Sequence, residues 1–129
     1  MKTEKKPSDE WFRQADYDLE TAEAMFGVGR YIYTVFMCHL SIEKALKGLY
    51  TKKLGEEPPK THNLIYLIEK IGIQMSENLY DFVFSLNRVS VPTRYPDDLK
   101  RILNDYDKDI TKEILIKSKD VLEWLKERL

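Results

Sequence analysis

Between Arg30 and Leu54 lies the stretch that most limits what this chain can fold into. From Tyr31 to Ile42 it reads Tyr-Ile-Tyr-Thr-Val-Phe-Met-Cys-His-Leu-Ser-Ile, apolar on almost every side of a helix. A helix with that surface has to be buried on several faces rather than one. The run is too short to span a bilayer, and Glu43, Lys44 and Lys47 follow it closely. The expectation is the central helix of a soluble bundle. Its polar exceptions, His39, Glu43 and Lys47, recur every four residues and therefore lie along one line of the helix.

The flanking segments read as helices too. Pro7, Ser8 and Asp9 form a helix start, with Ser8 as a cap and Asp9 and Glu10 suited to the positive helix end. Trp11, Ala15, Leu19, Ala22 and Phe26 keep the helical period, and Gly27 and Gly29 close that helix. A very short connection to the central helix favours antiparallel packing. Gly48 inside the central helix is read as a point of close packing, and Gly55 with Pro58-Pro59 ends it. Thr61 or His62 opens a short third helix that ends at Gly72, and Ser76 with Glu77 opens a fourth. Val89 to Pro96, β-branched and carrying two prolines, predicts an ordered non-helical loop. Asp97 to Asp105 is ambiguous, with a short turn of helix as one reading. The last helix is expected from about Asp107 to Leu129, with Ile110, Ile114, Val121, Leu122, Leu125 and Leu129 on its buried side. No segment shows useful strand alternation. The fold class read from these patterns is all-α, an antiparallel up-and-down bundle of four to five helices in a single domain over residues 1–129, with 1–7 a frayed terminus.

Composition narrows function more than it identifies it. With 21 Lys and Arg against 22 Asp and Glu, the net charge of −1 argues against a general polyanion binder. The single cysteine, Cys38, rules out an internal disulfide and any multi-cysteine zinc site, and within the apolar run it reads as a buried thiol. Two histidines far apart, without a dense carboxylate cluster, do not make a metal site, and no Gly-rich phosphate loop is present. No cofactor is called for. The charged start, with no apolar stretch behind it, carries no visible secretory signal, so the expected compartment is the cytoplasm.

Two constellations remain. Glu43 on an apolar helix needs a cation, and Lys47 stands at the favourable four-residue spacing, so the line His39, Glu43, Lys47 is a polar stripe setting helix register, a stripe facing solvent, or the wall of a site. Arg94 lies in Thr93-Arg94-Tyr95-Pro96-Asp97, where its planar fork suits phosphate or carboxylate and Tyr95 suits stacking. The same arginine also suits pairing with Glu43 or with an acid of the last helix. His62, at a helix start, reads as a cap or local hydrogen-bonding residue, with catalysis the lesser reading.

Taken together these residues resemble the HEPN domain family. The resemblance is carried by Trp11 with Ala15 and Asp18-Leu19, and by Phe36 to Leu49 with Ile42-Glu43-Lys44-Ala45-Leu46-Lys47. It continues in Thr61-His62-Asn63-Leu64, Thr93-Arg94-Tyr95-Pro96-Asp97 and Val121-Leu122-Glu123-Trp124-Leu125. It implies an antiparallel helical bundle, usually a homodimer, acting beside a minimal nucleotidyltransferase in a two-gene, toxin–antitoxin-like pair. Many members are metal-independent ribonucleases whose motif is an Arg followed closely by a His. That motif is not present here, since His62 is the last histidine and no histidine follows Arg88 or Arg94. The expectation is a nucleotide- or nucleic-acid-binding protein whose groove is lined by His39, Glu43, Lys47, Arg94, Tyr95 and Asp97. A ribonuclease with a non-standard acid–base set and a structural dimerisation module are the alternatives.

Overall fold

In the computed structural model, residues 6–89, 92–93 and 95–129 are described, and all their regular structure is helical. Among these residues six helices follow in order: α1 (Ser8–Gly27), α2 (Tyr31–Leu54), α3 (Leu64–Ile71), α4 (Glu77–Asn87), α5 (Leu99–Asp105) and α6 (Lys108–Lys126). No described helix is long and apolar enough to cross a membrane.

α2 is the helix around which the others pack. Val35, Cys38, Ile42, Ala45, Leu46 and Leu49 are fully buried, yet their positions go round much of the helix, as an all-round apolar surface requires. α1 and α6 pack along it, and α3 crosses between it and α4. The α1–α2 pair is antiparallel: Ser8 Oγ donates to the Gly48 carbonyl at 2.8 Å, and Ser41 Oγ to the Ala15 carbonyl at 2.7 Å. At Gly48 the side chains of α1 lie directly against the α2 backbone. A Cβ there would sit 2.7 Å from Phe12 Cδ2 and 2.9 Å from Trp11 Cβ, so the close-packing role read from sequence is correct. Cys38 is buried, and desolvation pushes its thiol up to about 12, which keeps it protonated at neutral pH.

Several boundaries differ from the sequence reading, each for a local reason. Ser8 is the first helical residue of α1, and Pro7 takes the cap position; the serine hydroxyl goes to Gly48 instead of to its own helix. α3 starts at Leu64 because the Asn63 side chain accepts from Tyr66 N–H, leaving Thr61 and His62 outside the helix. Asp98 accepts from Arg101 N–H and turns the ambiguous Asp97–Asp105 stretch into α5, which raises the number of described helices to six. In the expected loop, Pro92 and Thr93 have helical backbone, and Thr93 N–H reaches the Val89 carbonyl at 3.1 Å. A proline in a first helical turn loses no hydrogen bond.

The inner face of α6 also differs. Thr111, Leu115, Ser118, Leu122 and Leu125 are buried, while Ile110 and Leu129 are about half exposed. The buried set follows a four–three spacing, and two of its members are hydroxyls small enough for helices to pack closely over them.

Candidate functional site

The line His39, Glu43, Lys47 faces inward. All three side chains are buried, and Glu43, set in the interior of a buried helix, has both oxygens engaged by basic groups. Its Oε2 accepts from Lys47 Nζ at 3.1 Å, one helical turn on. Its Oε1 lies 2.8 Å from His62 Nδ1, and 3.9 Å from His39 Nδ1, which is beyond hydrogen-bonding reach. The carboxylate is thus the hub of three basic side chains drawn from α2 and from the segment that precedes α3.

That segment is held from several sides. Gly55 closes α2 with a φ of 67°, and Pro58 is buried. Thr61 N–H then donates to the Pro59 carbonyl at 2.9 Å, and Asn63 N–H to Thr61 Oγ1 at 3.1 Å. Asn63 is in turn linked to α4, its Oδ1 accepting from Asn87 Nδ2 at 3.2 Å. His62 sits between these anchors with Nδ1 on Glu43, while 59% of its side chain remains in solvent. Trp11 borders the cluster: Lys47 Nζ stands 5.8 Å from its ring centroid and Lys6 Nζ 3.9 Å. A second buried acid, Asp18, pairs with Lys44 Nζ at 2.9 Å, so the α1–α2 contact carries its own charge pair beside the first.

Of the residues expected to line a groove, His39, Glu43 and Lys47 come together. Arg94 lies outside the described residues. Tyr95 and Asp97 are placed elsewhere: with Pro92, Pro96, Asp98 and Arg101 they line a cleft of about 450 Å³ against α5, and none of its lining residues belongs to the Glu43 cluster. Tyr95 is 74% exposed. Sequence reading missed His62 as the second partner of Glu43. The proline pair after Gly55 signals that the helix ends there, but no local pattern marks His62 as the residue that reaches Glu43. Among the described residues no group of three or more His, Cys, Asp or Glu side chains is arranged to hold a metal ion.

The chemistry open to this cluster follows from its donors. An ionised carboxylate only accepts hydrogen bonds, so the proton between it and His62 is on Nδ1. When the ring is neutral with its proton there, its lone pair is on Nε2, at the edge away from Glu43. Lys47 already balances the charge of Glu43, so the carboxylate does not require a second cation.

Comparison with known proteins bears on the whole chain. The family model described as HEPN domain matches residues 8–129. Among solved structures, the crystal structure of TT1696 from Thermus thermophilus is similar at 25% identity with a TM-score of 0.83, covering 95% of this chain and 98% of that one. The crystal structure of ST0689, described as an archaeal HEPN homologue, is similar at 25% identity and a TM-score of 0.76, covering 95% and 97%. No curated protein gives a significant match.

Proposed function

Since this chain belongs to the HEPN domain family, we propose that it binds a nucleotide or nucleic acid, as one component of a two-gene system with a minimal nucleotidyltransferase-type partner. The observation that supports this reading is the Glu43 cluster. A buried carboxylate holds an ammonium on one oxygen and a largely exposed imidazole on the other. A structural ion pair is complete with Lys47 alone, whereas the added imidazole gives a ligand a fixed polar group to meet. In this reading His39, Glu43 and Lys47 form the floor of the site, His62 is its exposed edge, and Arg94 binds the anion. The working unit is a cytoplasmic homodimer.

Calorimetric titration of ADP and of a short single-stranded RNA into the purified protein tests the reading. Binding is expected, and Arg94→Ala is expected to weaken it by about 1.5–3 kcal/mol, the worth of a charged hydrogen bond. Unchanged binding would remove Arg94 from the site, and absence of binding by both ligands would remove the reading. The partner class is tested by the neighbouring reading frame, expected to encode a minimal nucleotidyltransferase.

The Glu43–His62 contact favours a second reading, a metal-independent ribonuclease, because a carboxylate-oriented imidazole is a competent general base. Single-stranded RNA incubated with the protein and a chelator separates the two. Cleavage abolished by His62→Ala and by Glu43→Ala supports the enzyme; cleavage that survives both comes from a contaminant.

A further inference from the structure

His62 differs from the other members of the cluster in one respect that constrains its ligand. The side chains of Glu43 and Lys47 are only 5% and 10% exposed, whereas that of His62 is 59% exposed. Its Nδ1 is committed to Glu43 Oε1 at 2.8 Å, and the Pro59, Thr61 and Asn63 hydrogen bonds fix the backbone on both sides of it. The ring is therefore a held group with one free edge, and that edge carries Nε2.

A neutral imidazole with its proton on Nδ1 offers at Nε2 a lone pair and no hydrogen. It cannot hydrogen-bond a fully ionised phosphate, whose oxygens are acceptors themselves. It needs a donor. In a nucleotide the donors are the sugar hydroxyls and the nitrogen-bound hydrogens of the bases; the latter change in number and position from base to base, whereas the sugar 2′-hydroxyl is brought in the same place by every ribonucleotide unit.

We propose that His62, its tautomer set by Glu43, is the sugar-reading residue of the site, its Nε2 accepting a hydrogen bond from the ribose 2′-hydroxyl of the bound ligand. This rests on the nucleotide-binding reading above and adds to it a discrimination between ribose and deoxyribose, the contrast that a protein uses to tell RNA from DNA. The phosphate falls to cationic groups, and the hydroxyl to His62. Because the ring is at the surface, where water competes for the same lone pair, the discrimination is modest.

The test is a set of four calorimetric titrations at about pH 8, where an ordinary imidazole is neutral: ADP against 2′-deoxy-ADP, and an oligouridine RNA against its deoxy counterpart. The ribose form of at least one pair is expected to bind about five- to tenfold tighter, the scale of one net hydrogen bond. The pair that shows it identifies the ligand as free nucleotide or strand. In His62→Ala, a substitution at an exposed position, the ribose and deoxy forms are expected to bind equally. Equal binding of ribose and deoxyribose forms by the wild type, or a ribose preference that persists in His62→Ala, would overturn the assignment of His62 while leaving nucleotide binding intact. Absence of binding by all four would overturn the binding reading, and the sugar-reading role with it.

Discussion

The Glu43 cluster and the segment from Pro92 to Asp105 both gather polar side chains, and they hold them by opposite means. At Glu43 every charged group has a partner inside the protein, and the partners come from a helix and from a loop anchored by a buried proline. Around Tyr95 the side chains stand in solvent: Tyr95 is 74% exposed and Leu99 56%, and Tyr95 borders a cleft lined also by Asp97, Asp98 and Asp105. The first region has its geometry set before any ligand arrives. The second is held by the Asp98 side chain at the start of α5 and by the buried Ile102, so its exposed side chains can change with little consequence for the fold. A buried charge is expensive to orphan, and an exposed one is not.

Substitutions should therefore separate the two regions steeply. The largest loss is expected for Glu43→Ala, which leaves Lys47 buried without its counter-charge and should cost about 3–5 kcal/mol in chemical denaturation. If the melting curve hardly moved, the cluster would have to be far wetter than its burial implies. Next comes Gly48→Ala, whose new methyl must push against Phe12 and the Trp11 Cβ, at about 1–3 kcal/mol. Wild-type stability there would mean that α1 shifts freely on α2. His62→Ala should cost at most about 1 kcal/mol, since the ring is mostly exposed and Lys47 still balances Glu43. Tyr95→Ala should stay within about 0.5 kcal/mol. A loss at Tyr95 as large as that at Gly48 would abolish the contrast between the regions.

Much of the fold can be read from local sequence because single residues decide it. The apolar run fixes α2, Gly55 and Gly72 end helices in the left-handed conformation, and Ser76, Asp98 and Asp107 accept at helix starts. The inner face of α6 is harder to read. Its buried line passes through Thr111 and Ser118, and an apolar pattern steers the eye to Ile110 and Leu129 instead. The site divides in the same way. The four-residue spacing of His39, Glu43 and Lys47 follows from helix geometry, and it predicts their alignment correctly. His62 depends on a loop returning along α2. From Glu43 to Leu54 the helix rises about 17 Å, and the eight residues from Gly55 to His62 can span more than that when extended. Reach alone does not choose a landing point, and no local pattern marks His62 as the residue that meets Glu43. Tyr95 and Asp97, grouped with Glu43 on sequence grounds, line a cleft of their own because the proline-bearing segment leads into α5.

The contact on which the site rests is that between Glu43 Oε1 and His62 Nδ1, and it is open to direct observation. Long-range nitrogen–proton correlation spectra of the histidine rings at neutral pH report which nitrogen of His62 carries the proton. The account predicts a single Nδ1–H form in the wild type, giving way to a mixture of tautomers in Glu43→Gln. A His62 ring that exchanges between tautomers in the wild-type protein, indifferent to residue 43, would contradict it.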